Sequence, residues 1–224
     1  MTNGARHEWV ANGGWQGGGA AKIFPITTEQ GYNGLGSFYG LDTEQLNVRW
    51  LIRFGPDFNS SLGSAGQTKT IIFNRFGYRE RPMIIGRQVG EWRTWGACDN
   101  TVCRYEGGDY WPDGTDSFRI GDPPFSRENE WISMEFSANS RTGVIRLYIY
   151  TQDGELSGLY VQQTMANTGG TFNYIDGIGH YFNDATVASA GNYFMIDEVV
   201  IDDSYIGPPD GFVLGNPPNP PILE

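Results

Sequence analysis

Residues 131–150 read WISMEFSANSRTGVIRLYIY, and apolar residues recur there at every second position on both sides of a short polar break. Ile132, Met134 and Phe136 alternate with Ser133, Glu135 and Ser137; after a turn at 138–143, Ile145, Leu147 and Ile149 alternate with Val144, Arg146, Tyr148 and Tyr150. A period of two sends successive side chains to opposite sides of an extended chain, whereas a helix repeats about every 3.6 residues. The stretch is therefore an antiparallel hairpin with one buried face. Its second face gathers Glu135, Arg146, Tyr148 and Tyr150, a carboxylate, an arginine and two phenols, which suits a binding surface. Cross-strand ion pairs on a solvated sheet are the plain alternative.

The same alternation recurs along the chain. Residues 46–54, LNVRWLIRF, place Val48, Trp50, Ile52 and Phe54 on one side and Arg49, Leu51 and Arg53 on the other. Two arginines two positions apart on one strand suit the neighbouring acidic groups of an extended ligand. Residues 69–75, KTIIFNR, set Ile71 and Phe73 against Ile72 and Asn74. Strands at 83–87 and 92–95 flank a turn at 89–91, with Arg87, Arg93 and Trp95 expected on a common binding face. Further strands are expected at 21–25, 35–41, 159–163, 173–180 and 192–206. Long helical patterns are missing, and 32 glycines, 12 prolines and an aromatic content of 14% accompany many short strands and tight turns. The fold class is all-β, with one domain over residues 1–208. Residues 209–224 are proline-rich and read as a linker, with a cloning remnant at Leu223 and Glu224.

The net charge of −11 speaks against nucleic acid as a partner. Neither a transmembrane run nor a signal-peptide pattern is present, and a secreted or periplasmic chain with no membrane partner is expected. Of 15 basic residues only Lys22 and Lys69 are lysine. The arginines offer a planar fork that grips carboxylate or sulfate at two points, so a local anion site is compatible with the acidic whole. Cys98 and Cys103 suit a turn closed by a disulfide, a short ring worth about 2 kcal/mol. Two thiols without a nearby histidine are too few for zinc. Residues 96–124 are polar and turn-rich, and a connection this long is expected to rim a site with Arg104, Tyr105, Tyr110 and Trp111.

The series NVRWLIRF, KTIIFNR, WISMEFSANSRTGVIRLYIY, GIGHYF and YFMIDEVVIDDSYIGP resembles the concanavalin A-like or laminin G-like jelly rolls of secreted polysaccharide lyases and their lectin-like relatives. The ending, an aromatic, an acidic pair in a strand and Ile-Gly-Pro, is its most specific part. The resemblance covers about residues 20–208. It implies a two-sheet antiparallel β-sandwich whose concave sheet forms a glycan groove. It also implies a structural calcium between an early loop and the last strand, with Asp197 and Glu29 at the matching positions; no other cofactor is required. The arginine-glutamate strand, glutamine-x-histidine triplet and lysine-containing tyrosine strand of alginate lyases are missing, as is the Glu-x-Asp-x-x-Glu strand of jelly-roll glucanases. No catalytic residue is therefore carried over by motif.

Two functions remain in view. A β-eliminating lyase acting on an acidic polysaccharide must neutralise the uronate carboxylate, remove the C5 proton and protonate the leaving oxygen. Arg49, Arg53, Arg87 or Arg146 would neutralise. The base would be His180, or Tyr148 or Tyr150 with a pKa lowered by nearby arginines. Arg49, Arg53, Asn74, Arg87, Arg93, Trp95 and Glu135 would bind substrate, and loss of Arg49 or Arg53 is expected to abolish binding. The alternative is a non-catalytic carbohydrate-binding module of a larger secreted protein. A glycoside hydrolase ranks third, since no carboxylate partners Glu135. Arginines outnumber aromatics on the predicted groove face, which leans towards the lyase. In either case the protein is expected to be a monomer.

Overall fold

Hydrogen-bonded alternation along the chain builds two antiparallel sheets that pack face to face. The computed structural model describes residues 6–24, 31–35, 38–58, 68–75, 80–88, 91–98, 109–110, 116–121, 127–164, 170–182 and 191–214. In the first sheet the strands lie in the order β1 (Arg6–Val10), β2 (Ala20–Phe24), β15 (Phe194–Asp202), β5 (Gln45–Phe54), β11 (Trp131–Asn139), β12 (Val144–Thr151) and β13 (Ser157–Thr164). The second runs β3 (Gly31–Leu35), β14 (Phe172–Phe182), β6 (Thr68–Arg75), β7 (Glu80–Gln88), β8 (Glu91–Cys98), β10 (Asp116–Gly121) and β9 (Asp109–Tyr110), and β4 (Phe38–Thr43) also pairs with β14. Every pair of these strands is antiparallel. The expected all-β jelly-roll sandwich is the observed fold. Among the described residues no helix is long and apolar enough to cross a membrane.

The core lies where the inward rows of the sheets meet. Val48, Trp50, Ile52 and Phe54 of β5, Ile132, Met134 and Phe136 of β11, and Ile145, Leu147 and Ile149 of β12 are buried against Phe172 and Ile175 of β14. Each such side chain contributes about 1.5–3 kcal/mol on leaving water. The hairpin register is regular, with Met134 opposite Ile149 and Phe136 opposite Leu147. Its turn is set locally. The Asn139 Oδ1 accepts the backbone N–H of Thr142 at 2.8 Å, and Gly143 takes a φ of 73° that a side chain would resist.

Four expectations are corrected. Within residues 96–124, read as a long connection, β9 and β10 add two strands to the second sheet. Where one strand was expected at 35–41, β3 and β4 both pair with β14. The last strand ends at Asp202 rather than running to Ile206. The first limb of the hairpin, β11, is buried on both faces, because Ser133 and Glu135 are as inaccessible as Ile132 and Met134, while Val144, Arg146 and Tyr148 of β12 stay half-buried. The last two corrections share a cause: residues 203–214 turn away from the end of β15 and cross the outer face of the first sheet as a strap.

Candidate functional site

The first sheet brings together the residues its alternation predicts. Across its outer face the register aligns Val200, Arg49, Glu135 and Tyr148 in one row. Asp197, Leu51, Ser133, Tyr150 and Ser157 form the next, and Met195, Arg53 and Trp131 a third. Arg146 lies one row beyond, opposite Ser137 and Gln162, and donates from Nε to the Gln162 Oε1 at 2.8 Å.

Most of that face belongs to the strap. The Glu135 carboxylate accepts the backbone N–H of Ile206 at 2.9 Å on Oε1 and of Gly207 at 2.7 Å on Oε2. Gly207 has a φ of 77°, which lets two consecutive N–H groups converge on one carboxylate. The Tyr205 ring packs on that of Tyr148, centroids 5.0 Å apart, and its hydroxyl hydrogen-bonds that of Tyr150. Further along, Phe212 stacks on Trp15 at 4.7 Å and joins Ala20, Leu51, Trp131, Tyr150 and Met195 in a second apolar cluster. The Ile-Gly-Pro ending thus acts as a clasp on Glu135.

Burial governs the electrostatics of this face. Burial raises the Glu135 pKa, an effect partly offset by the two N–H donors and by Arg49. Burial likewise raises Tyr148, outweighing Arg146, and it raises Tyr150 together with the Tyr205 hydroxyl. The expected lowering of these tyrosines by arginine is corrected, because desolvation of a phenolate costs more here than the arginine returns. Arg49 is also committed: it is buried, faces Glu135 in register and pairs with Glu198 at 3.4 Å. Arg53, between Met195 and Trp131, has a buried Nε with no hydrogen-bond partner among the described residues.

Asp197 holds backbone at a break in β15. A bulge between Asp197 and Val200, with Glu198 at a φ of 45°, breaks the ladder of β15. The Asp197 Oδ2 then accepts the backbone N–H of Trp15 at 2.8 Å and its Oδ1 that of Glu198 at 2.8 Å. Among the described residues no three His, Cys, Asp or Glu side chains gather as metal ligands would. Glu29 lies outside the described residues. Asp197→Ala is expected to cost about 1–3 kcal/mol by leaving the Trp15 N–H without its acceptor, and thermal unfolding checks this.

The remaining predicted residues belong to the second sheet, whose faces follow from register. Phe73 is opposite Ile175, a core residue, so Asn74, opposite Tyr174, is on the outward face. Ile72, two positions from Asn74, pairs with Ile84, Ile84 with Trp95, and Trp95 with Ser117. One row further, Gly86, Arg93 and Arg119 are aligned. Asn74, Trp95, Arg93 and Arg119 therefore occupy one face. Arg87 does not join them: it pairs with Trp92 and shares the face of Ile85 and Met83. A two-residue connection sets odd positions of β7 opposite even positions of β8, so Arg87 and Arg93 fall on opposite sides. His180 is in β14 opposite Asn33. Cys98 ends β8, while Cys103, Arg104, Tyr105 and Trp111 lie outside the described residues, and the disulfide expectation with them.

Sequence reasoning missed Arg119, hidden in a segment whose Asp, Gly and Pro density reads as loop; the alternation Ser117, Phe118, Arg119, Ile120 was its only signal. It also missed Tyr205, taken for a strand residue.

Solved structures share this fold. The endo-β-1,4-glucuronan lyase from the fungus Trichoderma reesei superposes with a TM-score of 0.58 at 12% identity, covering 89% of this chain and 87% of that one. The catalytic domain of the glycoside hydrolase family 131 protein from Coprinopsis cinerea gives 0.53 at 12% identity, over 86% and 74%. The cellulose-induced protein Cip1 gives 0.51 at 15% identity, over 92% and 89%. At such identities the similarity is one of fold. No protein-family model and no curated protein matches the sequence.

Proposed function

We propose that the protein binds an acidic, uronate-containing polysaccharide along the outward face of the second sheet and cleaves it by β-elimination outside the cell. The observation that carries this reading is the register that sets Arg93 beside Arg119, one row from Trp95, on the face that also holds Asn74. Paired guanidinium groups suit the carboxylates of a polyuronate, and an indole suits the apolar face of a sugar ring. The likeness in fold to a glucuronan lyase supports the same substrate class.

In this reaction an arginine neutralises the uronate carboxylate and so acidifies the C5 proton. A base takes that proton, the C4–C5 double bond forms, the C4–O bond breaks, and the leaving oxygen receives a proton. His180, in β14 of this same sheet, is the base the sequence offers. Ile178 pairs with Ile71, on the row side of Phe73, so the register sets His180 on the parity opposite to Asn74, and the reading names no base on the groove face. Tyr148, Tyr150 and Arg146 belong to the other sheet, and the reading gives them no part in the chemistry. A second reading, a non-catalytic binding module, is favoured by the parity of His180 and by the raised pKa values of Tyr148 and Tyr150, which together leave no candidate base on the groove face.

Arg93→Ala and Arg119→Ala are each expected to weaken binding to polyglucuronate or alginate at least tenfold in affinity electrophoresis, as the loss of a charge-assisted contact worth about 1.5–3 kcal/mol implies. Arg53→Ala on the other sheet is expected to leave binding unchanged. Full affinity in both second-sheet variants would place the groove elsewhere. Absorbance near 235 nm during incubation with the same polymers separates the readings: a rise identifies the lyase, and a flat trace with retained binding identifies the module.

A further inference from the structure

Where the strap leaves the Glu135 clasp, its edge and the outer face of β12 and β13 enclose a depression of about 260 Å³. Tyr148, Tyr150, Ser157, Gly158, Leu159, Tyr205 and Leu214 line it. We infer that this depression is a second carbohydrate site, selective for a neutral sugar and separate from the groove on the second sheet.

Three observations point to that ligand class. The volume lies just below the usual range of small-molecule sites and suits a single sugar ring. Aromatic rings and leucines supply apolar surface for the C–H face of a pyranose, and Tyr205 and Leu214 stand 54% and 72% exposed at its rim. The polar groups are hydroxyls. Tyr150 and Tyr205 bond to each other, and since a hydroxyl donates once and accepts twice, the pair keeps a hydrogen and lone pairs for a ligand. Burial raises the pKa of Tyr148, Tyr150 and Tyr205, so the phenols stay neutral donors.

A charged sugar does not fit. Among the described residues no ionised side chain lines the depression, the nearby Glu135 carboxylate is occupied by Ile206 and Gly207, and Arg146 is turned to Gln162. A uronate would lose water there without gaining a cation. Another depression, about 550 Å³ and lined among the described residues by Leu41, Asp42, Thr43, Leu46, Ile201, Asp202 and Asp203, carries three carboxylates there and lacks this character.

The test titrates the whole chain with cellohexaose, xylohexaose and mannohexaose up to about 10 mM, followed by calorimetry and saturation-transfer NMR. At least one is expected to bind, with Leu214→Arg and Tyr205→Ala weakening it at least tenfold. Leu214→Arg, an exposed change, guards against a fold defect and is expected to leave the melting temperature and binding to polyglucuronate unchanged. Absence of binding by all three, or equal binding by wild type and Leu214→Arg, overturns the inference. So does self-association of the wild type that Leu214→Arg abolishes in sedimentation, since the depression would then be a contact between copies. The inference does not rest on the groove of the second sheet: failure of polyglucuronate to bind leaves it standing, and failure of the neutral sugars leaves the groove standing.

Discussion

Replacing Glu135 with alanine is expected to unfasten the C-terminal strap while the sandwich stays folded. The change removes two charge-assisted hydrogen bonds and leaves the N–H groups of Ile206 and Gly207 without an acceptor. Each unsatisfied buried donor costs about 1–3 kcal/mol, so the pair costs about 2–6 kcal/mol. For a chain of this size that lowers the melting temperature by on the order of 10 °C. Since the strap can peel away and rehydrate its backbone, new protease cleavage within residues 203–214 is expected to accompany the shift. An unchanged melting temperature with the strap still protected would show that the clasp does not hold it.

The same carboxylate gives the clasp a pH dependence whose sign can be worked out. Burial raises the folded pKa of Glu135 above its ordinary 4.5. A carboxyl with a raised folded pKa contributes most stability below its unfolded pKa and loses it as pH climbs through the folded value. Glutamine mimics the protonated acid in charge but offers one acceptor oxygen and an N–H₂ that opposes the second donor. The stability deficit of Glu135→Gln relative to wild type is therefore expected to be larger at pH 4 than at pH 7, as measured by urea unfolding. A deficit that grows with pH would contradict the role of burial.

Phe136→Ala, the next position on β11, is the second large effect, and its character differs. Phe136 points the other way, into the core between Val48 and Leu147, and is fully buried. Truncation removes its transfer energy and leaves a cavity, at a cost of about 3–5 kcal/mol. The loss is expected to appear as global destabilisation in urea, with no selective cleavage of the strap. Two adjacent residues of one strand would then separate into a local and a global unfolding response. Selective strap release in the Phe136 variant would mean that the two faces of β11 are not independent.

The contrast between those neighbours shows how far the sequence reaches. Alternation assigned Phe136 to the core and Glu135 to the opposite face, and it gathered Arg49, Glu135, Tyr148 and Tyr150 on that face, as the structure does. It carried no information on what covers the face. The Ser-Tyr-Ile-Gly-Pro run that does so reads as the end of a strand, and its approach to Glu135 spans 71 residues in the chain. Arg119 was lost for the opposite reason, because local turn chemistry outweighed a short alternation.

The sequence alone determined the fold class, the hairpin at its centre and the parity of most strands, because a period of two in burial is written residue by residue. Only the tertiary structure decided which of the arginines share a face, what covers the outer side of the first sheet, and that Asp197 and Glu135 accept backbone N–H groups. Those outcomes depend on a bulge in β15, on the pairing offset between β7 and β8, and on a strap crossing the first sheet. Each is a contact or register between segments distant in sequence or facing across a turn, where a shift of one residue exchanges the two faces of a strand.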